Sequence, residues 1–115
     1  LSLFEQSIKG DPDLLFQAFA NILDNAVKYT PKNGEIELSM RINNKMTEIE
    51  IYNSGSTLKP EDLERIFDRF FRSETCRSAP GTGLGLSLSQ AVVHLHNGTI
   101  KAENKNAGFS IITII

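Results

Sequence analysis

The chain has 115 residues, of which 40% are hydrophobic and 23% are charged, and its formal net charge is −2 at pH 7. These values are typical of a single globular domain with one core, and the small negative charge argues against nucleic acid as the main partner. The one cysteine cannot form an internal disulfide, and no apolar run reaches the roughly 20 residues that a membrane span needs. We expect one domain over 1–115, cut from a longer protein, that makes no direct contact with a membrane.

Apolar periodicity and turn residues divide the chain into strands and helices. Strands are predicted at 1–8, 35–42, 47–52, 99–104 and 109–115. Helices are predicted from Pro12 to about Tyr29, over 60–71, and from Leu84 to about His96, with a loop without periodicity at 73–82. Strands on one side and helices gathered on the other predict an α/β (α+β) two-layer sandwich, in which about three helices cover one face of a mixed β-sheet.

The first predicted helix carries a polar stripe. Asn21, Asn25 and Lys28 lie at positions i, i+4 and i+7, within roughly 60° of one another at about 100° per residue. Two carboxamides and an ammonium group are suited to an anionic ligand and its metal, and a solvated helix face is the alternative. The other side of the helix is predicted to be a broad buried face formed by Leu15, Phe16, Phe19, Ile22, Leu23, Ala26 and Val27.

A glycine-rich segment, GTGLGLS, precedes the second long helix. Gly81, Gly83 and Gly85 would let backbone N–H groups approach a phosphate at a helix N-terminus. Their spacing is neither that of a Walker A loop nor that of a dinucleotide-binding turn. A flexible helix entry is therefore the alternative interpretation of this segment.

Three motifs stand in a fixed order: NILDNAVKYTP, then NSG before a helix that ends in FDRFFR, then GTGLGL. This order resembles the catalytic and ATP-binding domain of sensor histidine kinases, in the GHKL superfamily that also holds type II topoisomerases, heat-shock chaperones and mismatch-repair ATPases. The resemblance extends from GDPDLL at 10–15 to the last strand. It implies a Bergerat-type ATP-binding fold whose cofactors are ATP and Mg²⁺.

The resemblance also implies roles for single residues. Asn25 would ligate magnesium through its carboxamide oxygen, Asn21 would support the metal or its waters, and Lys28 would neutralise phosphate charge. Arg72 would reach the terminal phosphate and completes the predicted catalytic set, while residues 73–82 would form the ATP lid. The predicted nucleotide contacts further include Tyr29, Asn53, Gly55, Phe67, Gly81, Thr82, Gly83, Leu84, Gly85 and Leu86.

Aromatic residues at the base of the predicted lid have two interpretations. Phe67, Phe70 and Phe71 resemble an aromatic patch of the family, and plain core packing is the alternative, with both roles open for Phe67. Arg69 is expected only to cap its helix.

The segment Asn53-Ser54-Gly55-Ser56-Thr57 departs from the family pattern, Asp-x-Gly-x-Gly. Asn53 stands where an aspartate would accept a hydrogen bond from the adenine amino group, and Thr57 replaces the second glycine. An amide oxygen still accepts that bond, but a charge-assisted bond is roughly twice as strong. We therefore expect adenine to be recognised with weaker affinity.

The polar stripe carries no carboxylate that could activate water. Related ATPases have a glutamate four residues before the metal asparagine, and here that position is Asn21, while Asp24 is expected to point away from the stripe. This pattern favours phosphoryl transfer to a protein side chain over hydrolysis. His94 and His96 are expected to be structural or surface residues, and the phosphorylated histidine is expected upstream, on a helical dimerisation domain.

The predicted function is therefore that of a histidine kinase catalytic domain. It would bind Mg-ATP and transfer the γ-phosphoryl group to the dimerisation domain of the same protein, from which a response regulator would receive it. By resemblance, the parent protein is a membrane-anchored bacterial sensor with this domain on its cytoplasmic side. The alternative is a degenerate nucleotide-binding regulatory module without kinase activity, which only the changes at Asn53 and Thr57 favour.

Overall fold

The computed structural model describes residues 7–71 and 85–115. The elements in these ranges are α1 (Pro12–Tyr29), β1 (Ile36–Asn43), β2 (Met46–Ser54), α2 (Asp62–Arg65), α3 (Gly85–Leu95), β3 (Thr99–Lys105) and β4 (Gly108–Ile114). The strands form one sheet in the order β1-β2-β4-β3, and the helices lie on one of its faces. The predicted two-layer α/β sandwich is confirmed. None of the described helices has the length and hydropathy that a membrane span requires.

All three pairings between the described strands are antiparallel. Two of these pairings, β1 with β2 and β3 with β4, are hairpins closed by tight turns. Asn44 (φ 52°) and Lys45 (φ 67°) form the first turn with left-handed backbones, and Asn106 (φ 55°) lies in the second. Such short connections form antiparallel hairpins. The mixed pairing that we predicted is thus not found among the described strands. Of the predicted strand over 1–8, the first six residues lie outside the described part of the chain and the last two are not in a strand.

Helix α1 begins and ends where its sequence predicts. The carboxylate of Asp11 accepts hydrogen bonds from the backbone N–H groups of Asp13 (3.0 Å) and Leu14 (3.2 Å), and Pro12 occupies the first turn. This is the usual N-cap arrangement, and it satisfies donors that the helix itself leaves unpaired. Thr30, which precedes a proline, is extended and ends the helix.

The buried face of α1 is narrower than predicted and is displaced toward the polar stripe. Its buried residues are Ala18, Ile22, Ala26 and Tyr29. Phe16, Leu23 and Val27, which we predicted to be buried, are 76%, 39% and 57% exposed. The reason is α3, which packs alongside α1 at the edge of the stripe, so that the Ser89 hydroxyl donates a hydrogen bond to the carbonyl of Ala18 (2.7 Å).

Helix α2 is a single turn, whereas the sequence predicted a helix over 60–71. After Arg65 the backbone continues in i→i+3 turns, and Phe70 has a left-handed φ of 65°, which no α-helix accommodates. Ile66 and Phe67 are both buried in the core. Burial of these two consecutive side chains outweighs the helical propensity of the segment.

The core lies between the helices and the sheet. Tyr29 of α1 and Phe109 of β4 meet edge to face, with ring centroids 4.9 Å apart and planes at 89°. Ile51, Ile111 and Leu86 belong to the same cluster. Each aromatic or aliphatic side chain that is buried stabilises the fold by about 1.5–3 kcal/mol. This cluster therefore holds α1 and α3 against the sheet.

The opposite face of the sheet holds a buried carboxylate. Glu50, whose side chain is 7% exposed, accepts hydrogen bonds from Ser110 Oγ (2.7 Å) and Lys105 Nζ (3.1 Å), and Arg41 lies 3.6 Å away. The Ser110 hydrogen bond, aided by Lys105 and Arg41, lowers the pKa of Glu50 against the opposing effect of burial. Glu50 thus remains charged at neutral pH. Its contacts connect β2 to Arg41 of β1, Lys105 of β3 and Ser110 of β4 on this face.

Candidate functional site

The start of α3 lies directly against the polar stripe of α1. A Cβ atom on Gly85 would be 3.6 Å from Cβ and Cγ of Asn21 and 3.9 Å from its Oδ1. The structure therefore brings the predicted amide stripe and the helix that follows the glycine segment to one place. Arg72, the lid range 73–82 and the glycine-segment residues Gly81, Thr82, Gly83 and Leu84, all predicted to contact nucleotide, lie outside the described residues.

Both asparagines of the stripe hold a buried polar atom that has no hydrogen-bond partner. These atoms are Nδ2 of Asn21 and Oδ1 of Asn25. A buried unpaired polar group costs about 1–3 kcal/mol, so such groups commonly mark a place where a ligand, ion or water completes the structure. The oxygen of Asn25 is a donor atom of the type that Mg²⁺ accepts, and the Asn21 nitrogen suits an oxygen of a phosphate or water. The residues present therefore fit a magnesium–phosphate ligand.

Lys28, the third member of the stripe, is part of an ion pair. Its Nζ lies 3.0 Å from Oδ2 of Asp24, between side chains that are 33% and 62% exposed. Our expectation that Asp24 points away from the stripe is wrong, because residues four apart on a helix lie only about 40° apart and are neighbours. An exposed pair of this kind contributes at most about 0.5 kcal/mol. The ion pair by itself therefore does little to hold Lys28 away from a phosphate.

The end of β2 and the loop after it provide the second part of the site. Asn53, near the end of this strand, is 2% exposed, and its Nδ2 has no hydrogen-bond partner; the buried Oγ of Ser56 in the loop has none either. Gly55, at φ 106°, lies against Pro31, and its N–H donates to the carbonyl of Ala107 (2.9 Å). The strand end and the loop thus add one unpaired polar group each near the C-terminal end of α1.

Three predicted contact residues, and Phe71 of the aromatic patch, lie in or against the core. Tyr29, Phe67 and Leu86 are buried at 5%, 5% and 7% exposure. Phe71 is partly buried against the core, and the guanidinium of Arg65 lies over its ring at 5.4 Å. The core-packing interpretation therefore holds for Phe67 and Phe71 at least in part, and contact of Tyr29, Phe67 or Leu86 with nucleotide stays a prediction.

Phe70 differs from the other two phenylalanines of this segment. It is 62% exposed, has a left-handed backbone, and has the guanidinium of Arg69 5.3 Å from its ring centroid. Arg69 thus stacks on Phe70, whereas we expected it to cap a helix that the structure does not extend so far. This cation–π contact is exposed, and it contributes about 0.5–1 kcal/mol.

The two histidines lie at the end of α3, away from the amide stripe. Nε2 of His96 accepts a hydrogen bond from the N–H of Asp11 (3.0 Å), and Nδ1 lies 2.8 Å from the carbonyl of Val92. His96 therefore fastens the start of α1 to the end of α3, which is the structural role that we predicted. His94 is exposed at the helix surface.

Sequence reasoning missed two polar residues near the site. Ser56 stands in the sequence only as part of a motif, since nothing in the local pattern distinguishes a buried hydroxyl from an exposed one. Asn104 of β3 is predicted only as the last residue of a strand, although its side chain bonds the backbone of Leu58, 46 positions earlier. Such a contact leaves no local signal, because it is made by tertiary structure.

A family model, described as histidine kinase-, DNA gyrase B-, and HSP90-like ATPase, matches residues 10–115. Among curated proteins, the chain is 38% identical over 103 residues to the probable sensor protein PcoS of Escherichia coli, which is 88% of this chain and 22% of that protein. It is 42% identical over 110 residues to the signal transduction histidine-protein kinase ArlS of Staphylococcus aureus, which is 91% of this chain and 24% of that protein. The chain thus spans about a quarter of these relatives or less.

Solved structures of histidine kinases share the fold. The mycobacterial sensor histidine kinase MprB matches with a TM-score of 0.87 and 32% identity, over 94% of this chain and 75% of that chain. The catalytic domain of histidine kinase ThkA matches with a TM-score of 0.83 and 29% identity, over 94% and 69%. ThkA in complex with response regulator protein TrrA matches with a TM-score of 0.78 and 27% identity, over 94% and 30%. The chain therefore belongs to the histidine kinase-, DNA gyrase B- and HSP90-like ATPase family, as an ATP-binding catalytic domain of the sensor histidine kinase type.

Proposed function

We propose that this domain binds Mg-ATP between the amide stripe of α1, the start of α3 and the loop after β2, and that it donates the γ-phosphoryl group to a histidine of a separate dimerisation domain in the same protein. The observation that carries this proposal is the buried, unpaired carboxamide oxygen of Asn25, one helical turn from the contact between Asn21 and Gly85. An acceptor atom in that position is suited to a hard cation that also binds phosphates.

The roles of the site residues follow from their chemistry. Asn25 would hold the magnesium ion, which when bound neutralises charge on the phosphates, and the unpaired nitrogen of Asn21 would donate to a phosphate or water oxygen. Lys28 would leave Asp24 and bind a phosphate. The amides at the start of α3 would add the favourable end of the helix dipole. We assign Arg72 and Gly81, Thr82, Gly83 and Leu84 to the phosphate side of the site on the resemblance alone.

The purine base would lie at the loop after β2. Asn53 would accept a hydrogen bond from the adenine amino group through its carboxamide oxygen, and Gly55 would let the backbone approach the base. The unpaired hydroxyl of Ser56 is a further polar group available to the base or to a bound water. Tyr29, Phe67 and Leu86 would support this region from the core.

Transfer to a protein side chain is favoured over hydrolysis by the groups that the site contains. Asn21 occupies the position beside Asn25 in which a carboxylate would activate water, and an amide is no general base near neutral pH. The nearby carboxylate, Asp24, is exposed on the Lys28 side of the stripe, about 100° around the helix from Asn25. In such a transfer the protein mainly positions the reactants and neutralises charge, which the residues of this site are suited to do.

The partners of the reaction lie outside this chain. The acceptor histidine would belong to a dimerisation domain, and a response regulator would receive the phosphoryl group from it; the ThkA complex with TrrA supports this second step. We also propose that the parent protein is a membrane-anchored bacterial sensor with this domain on the cytoplasmic side. The curated relatives that match are named as sensor proteins and signal transduction kinases, which supports this assignment.

The first test is calorimetric titration of the chain with a non-hydrolysable ATP analogue, with and without magnesium. We expect binding that magnesium strengthens, and we expect Asn25→Ala to lose that gain while keeping its fold. Asn43→Ala, which truncates an exposed asparagine at the end of β1, is the matched control and should bind as the unmodified chain does. Equal magnesium dependence in Asn25→Ala and the control would exclude Asn25 as the metal ligand.

A second test addresses the transfer itself. Labelled ATP is added to the chain together with its cognate histidine-bearing domain, and label on that histidine is measured. Label on the histidine is the expected result. Confirmed ATP binding without transfer would contradict the kinase function and favour the regulatory module, for which the family and its relatives give no support.

A further inference from the structure

Asn104, near the end of β3, holds the backbone of Leu58 through both ends of its carboxamide. Its Oδ1 accepts a hydrogen bond from the N–H of Leu58 (2.9 Å), and its Nδ2 donates to the carbonyl of the same residue (2.8 Å). These two bonds reproduce with a side chain what a neighbouring strand does with its backbone. They connect the sheet to a segment that is not itself part of a strand.

The residue that Asn104 holds is the far end of the loop after β2. Leu58 is 5% exposed and belongs to the core cluster. At the near end of the loop, the N–H of Gly55 donates to the carbonyl of Ala107, in the turn that follows β3. The loop is therefore held at both ends by the hairpin formed by β3 and β4. Its conformation depends on that hairpin as much as on β2.

Between these two attachments lies one unpaired polar group, and a second one stands at the end of β2 just before them. The first is Oγ of Ser56 in the loop, and the second is Nδ2 of Asn53, whose backbone is held in β2 between β1 and β4; both are buried and have no hydrogen-bond partner. Leaving a buried polar group unpaired costs free energy, so the loop would be expected to relax until Ser56 reached water, unless something holds it. The paired bonds from Asn104 provide that restraint.

We propose that Asn104 is a positioning residue for base recognition, which fixes the loop from Gly55 to Leu58, next to Asn53 at the end of β2, in the conformation that receives the purine. This inference rests on the proposed function. A loop that is already in its bound conformation loses less conformational freedom when the ligand binds, so the restraint from Asn104 raises the affinity for nucleotide. Asn104 itself does not need to touch the ligand.

The carboxamide is suited to this task in a way that similar side chains are not. It carries an acceptor and a donor on one planar group, so it bonds the N–H and the carbonyl of Leu58 at the same time. An aspartate would keep the acceptor for the N–H of Leu58 but would place negative charge against its carbonyl. A serine would be too short to reach both groups. We therefore expect the effect to depend on the amide and not merely on a polar residue at this position.

The test is calorimetric titration of the 115-residue chain and its Asn104→Ala variant with Mg-ATP and with magnesium tripolyphosphate, which lacks the base. We expect the variant to bind ATP about threefold to tenfold more weakly, from the loss of two partly exposed hydrogen bonds, and to bind tripolyphosphate unchanged. Ser110→Ala is the matched control, because it removes a buried hydrogen bond on the other face of the sheet. It should bind both ligands as the unmodified chain does.

The Asn104→Asp variant separates positioning from folding. It retains the acceptor for the N–H of Leu58 but sets a carboxylate oxygen against its carbonyl, so it should fold and still bind ATP more weakly than the unmodified chain. Asn104→Ala binding ATP as tightly as the unmodified chain would overturn the inference, as would an equal loss for ATP and tripolyphosphate. An unmodified chain that binds no ATP would overturn the proposed function as well, which distinguishes the two failures.

Discussion

The contact between Gly55 and Pro31 leads to a sharp prediction for Gly55→Ala. Gly55 has a φ of 106°, and a Cβ atom there would lie 2.3 Å from Cδ and 2.6 Å from Cγ of Pro31. Both distances are shorter than non-bonded carbon atoms approach in real proteins. The ring of Pro31 cannot rotate away as a flexible side chain would, because its φ is fixed by its own closure.

The expected cost of Gly55→Ala has two separable parts. A backbone conformation that only glycine adopts easily costs an alanine about 1–3 kcal/mol. Overpacking against the proline costs roughly another 1–3 kcal/mol, since the loop or the ring must shift. The sum is about 2–6 kcal/mol, which in a domain of this size lowers Tm by roughly 10–30 °C. We also expect weaker ATP binding, because the loop that follows Asn53 and β2 must move.

A double-mutant cycle with Pro31→Ala separates the two parts. Pro31→Ala removes Cγ and Cδ, so it should relieve the overlap but not the backbone strain, and alone it should cost little because Pro31 is exposed. Urea denaturation followed by circular dichroism measures the free energy of unfolding of the four proteins. We expect the double variant to recover about 1–3 kcal/mol. Additive costs, within about 0.5 kcal/mol, would refute the close approach of these two residues.

Three further predictions concern α1, α3 and the far face of the sheet. Gly85→Ala should leave the stability unchanged or raise it by up to about 1 kcal/mol, because the new Cβ would meet Asn21 at an ordinary contact distance, and it should weaken ATP binding. Thermal melting measures the stability and calorimetric titration measures the binding. A large loss of stability would contradict the packing of α3 against α1. Because the pKa of Glu50 is lowered in the folded chain, its contribution is present at neutral pH and is lost as the pH falls through that lowered pKa. Urea midpoints of Glu50→Gln and the unmodified chain should therefore differ at neutral pH and converge as the pH falls below about 4.3, the ordinary pKa of a glutamate, and a constant difference would exclude the carboxylate as the cause. Asp11→Ala removes the N-cap of α1 and should cost about 1 kcal/mol by urea denaturation, whereas Asp11→Asn should cost little; equal losses would show that the cap bonds contribute nothing.

The positions of most elements follow from local sequence. Asp11 and Pro12 predict the start of α1, and Pro31 predicts its end, because capping and proline geometry act over a few residues. Alternating side chains predict the four described strands to within one or two residues at each end. The amide stripe and the glycine segment are also visible in sequence, because each depends on spacing within one element.

Contacts between distant segments could not be read in the same way. Phe16 and Val27 appear as core residues in the helical pattern but are exposed, because α3 displaces the buried face of α1 toward the stripe. The helix predicted over 60–71 is reduced to one turn because burial of Ile66 and Phe67 outweighs local propensity. Both errors arise where packing against another element competes with a local preference.

The same division holds for the candidate site. Local spacing is sufficient to place Asn21 and Asn25 on one face of a helix, and the order of the motifs is sufficient to identify the family. That Gly85 lies against Asn21, and that Asn104 holds Leu58 from 46 positions away, depends on the close packing of α1 with α3 and on the β3–β4 hairpin. Sequence periodicity reports which side of an element is apolar, but the partner of each side is chosen only when the whole core is packed.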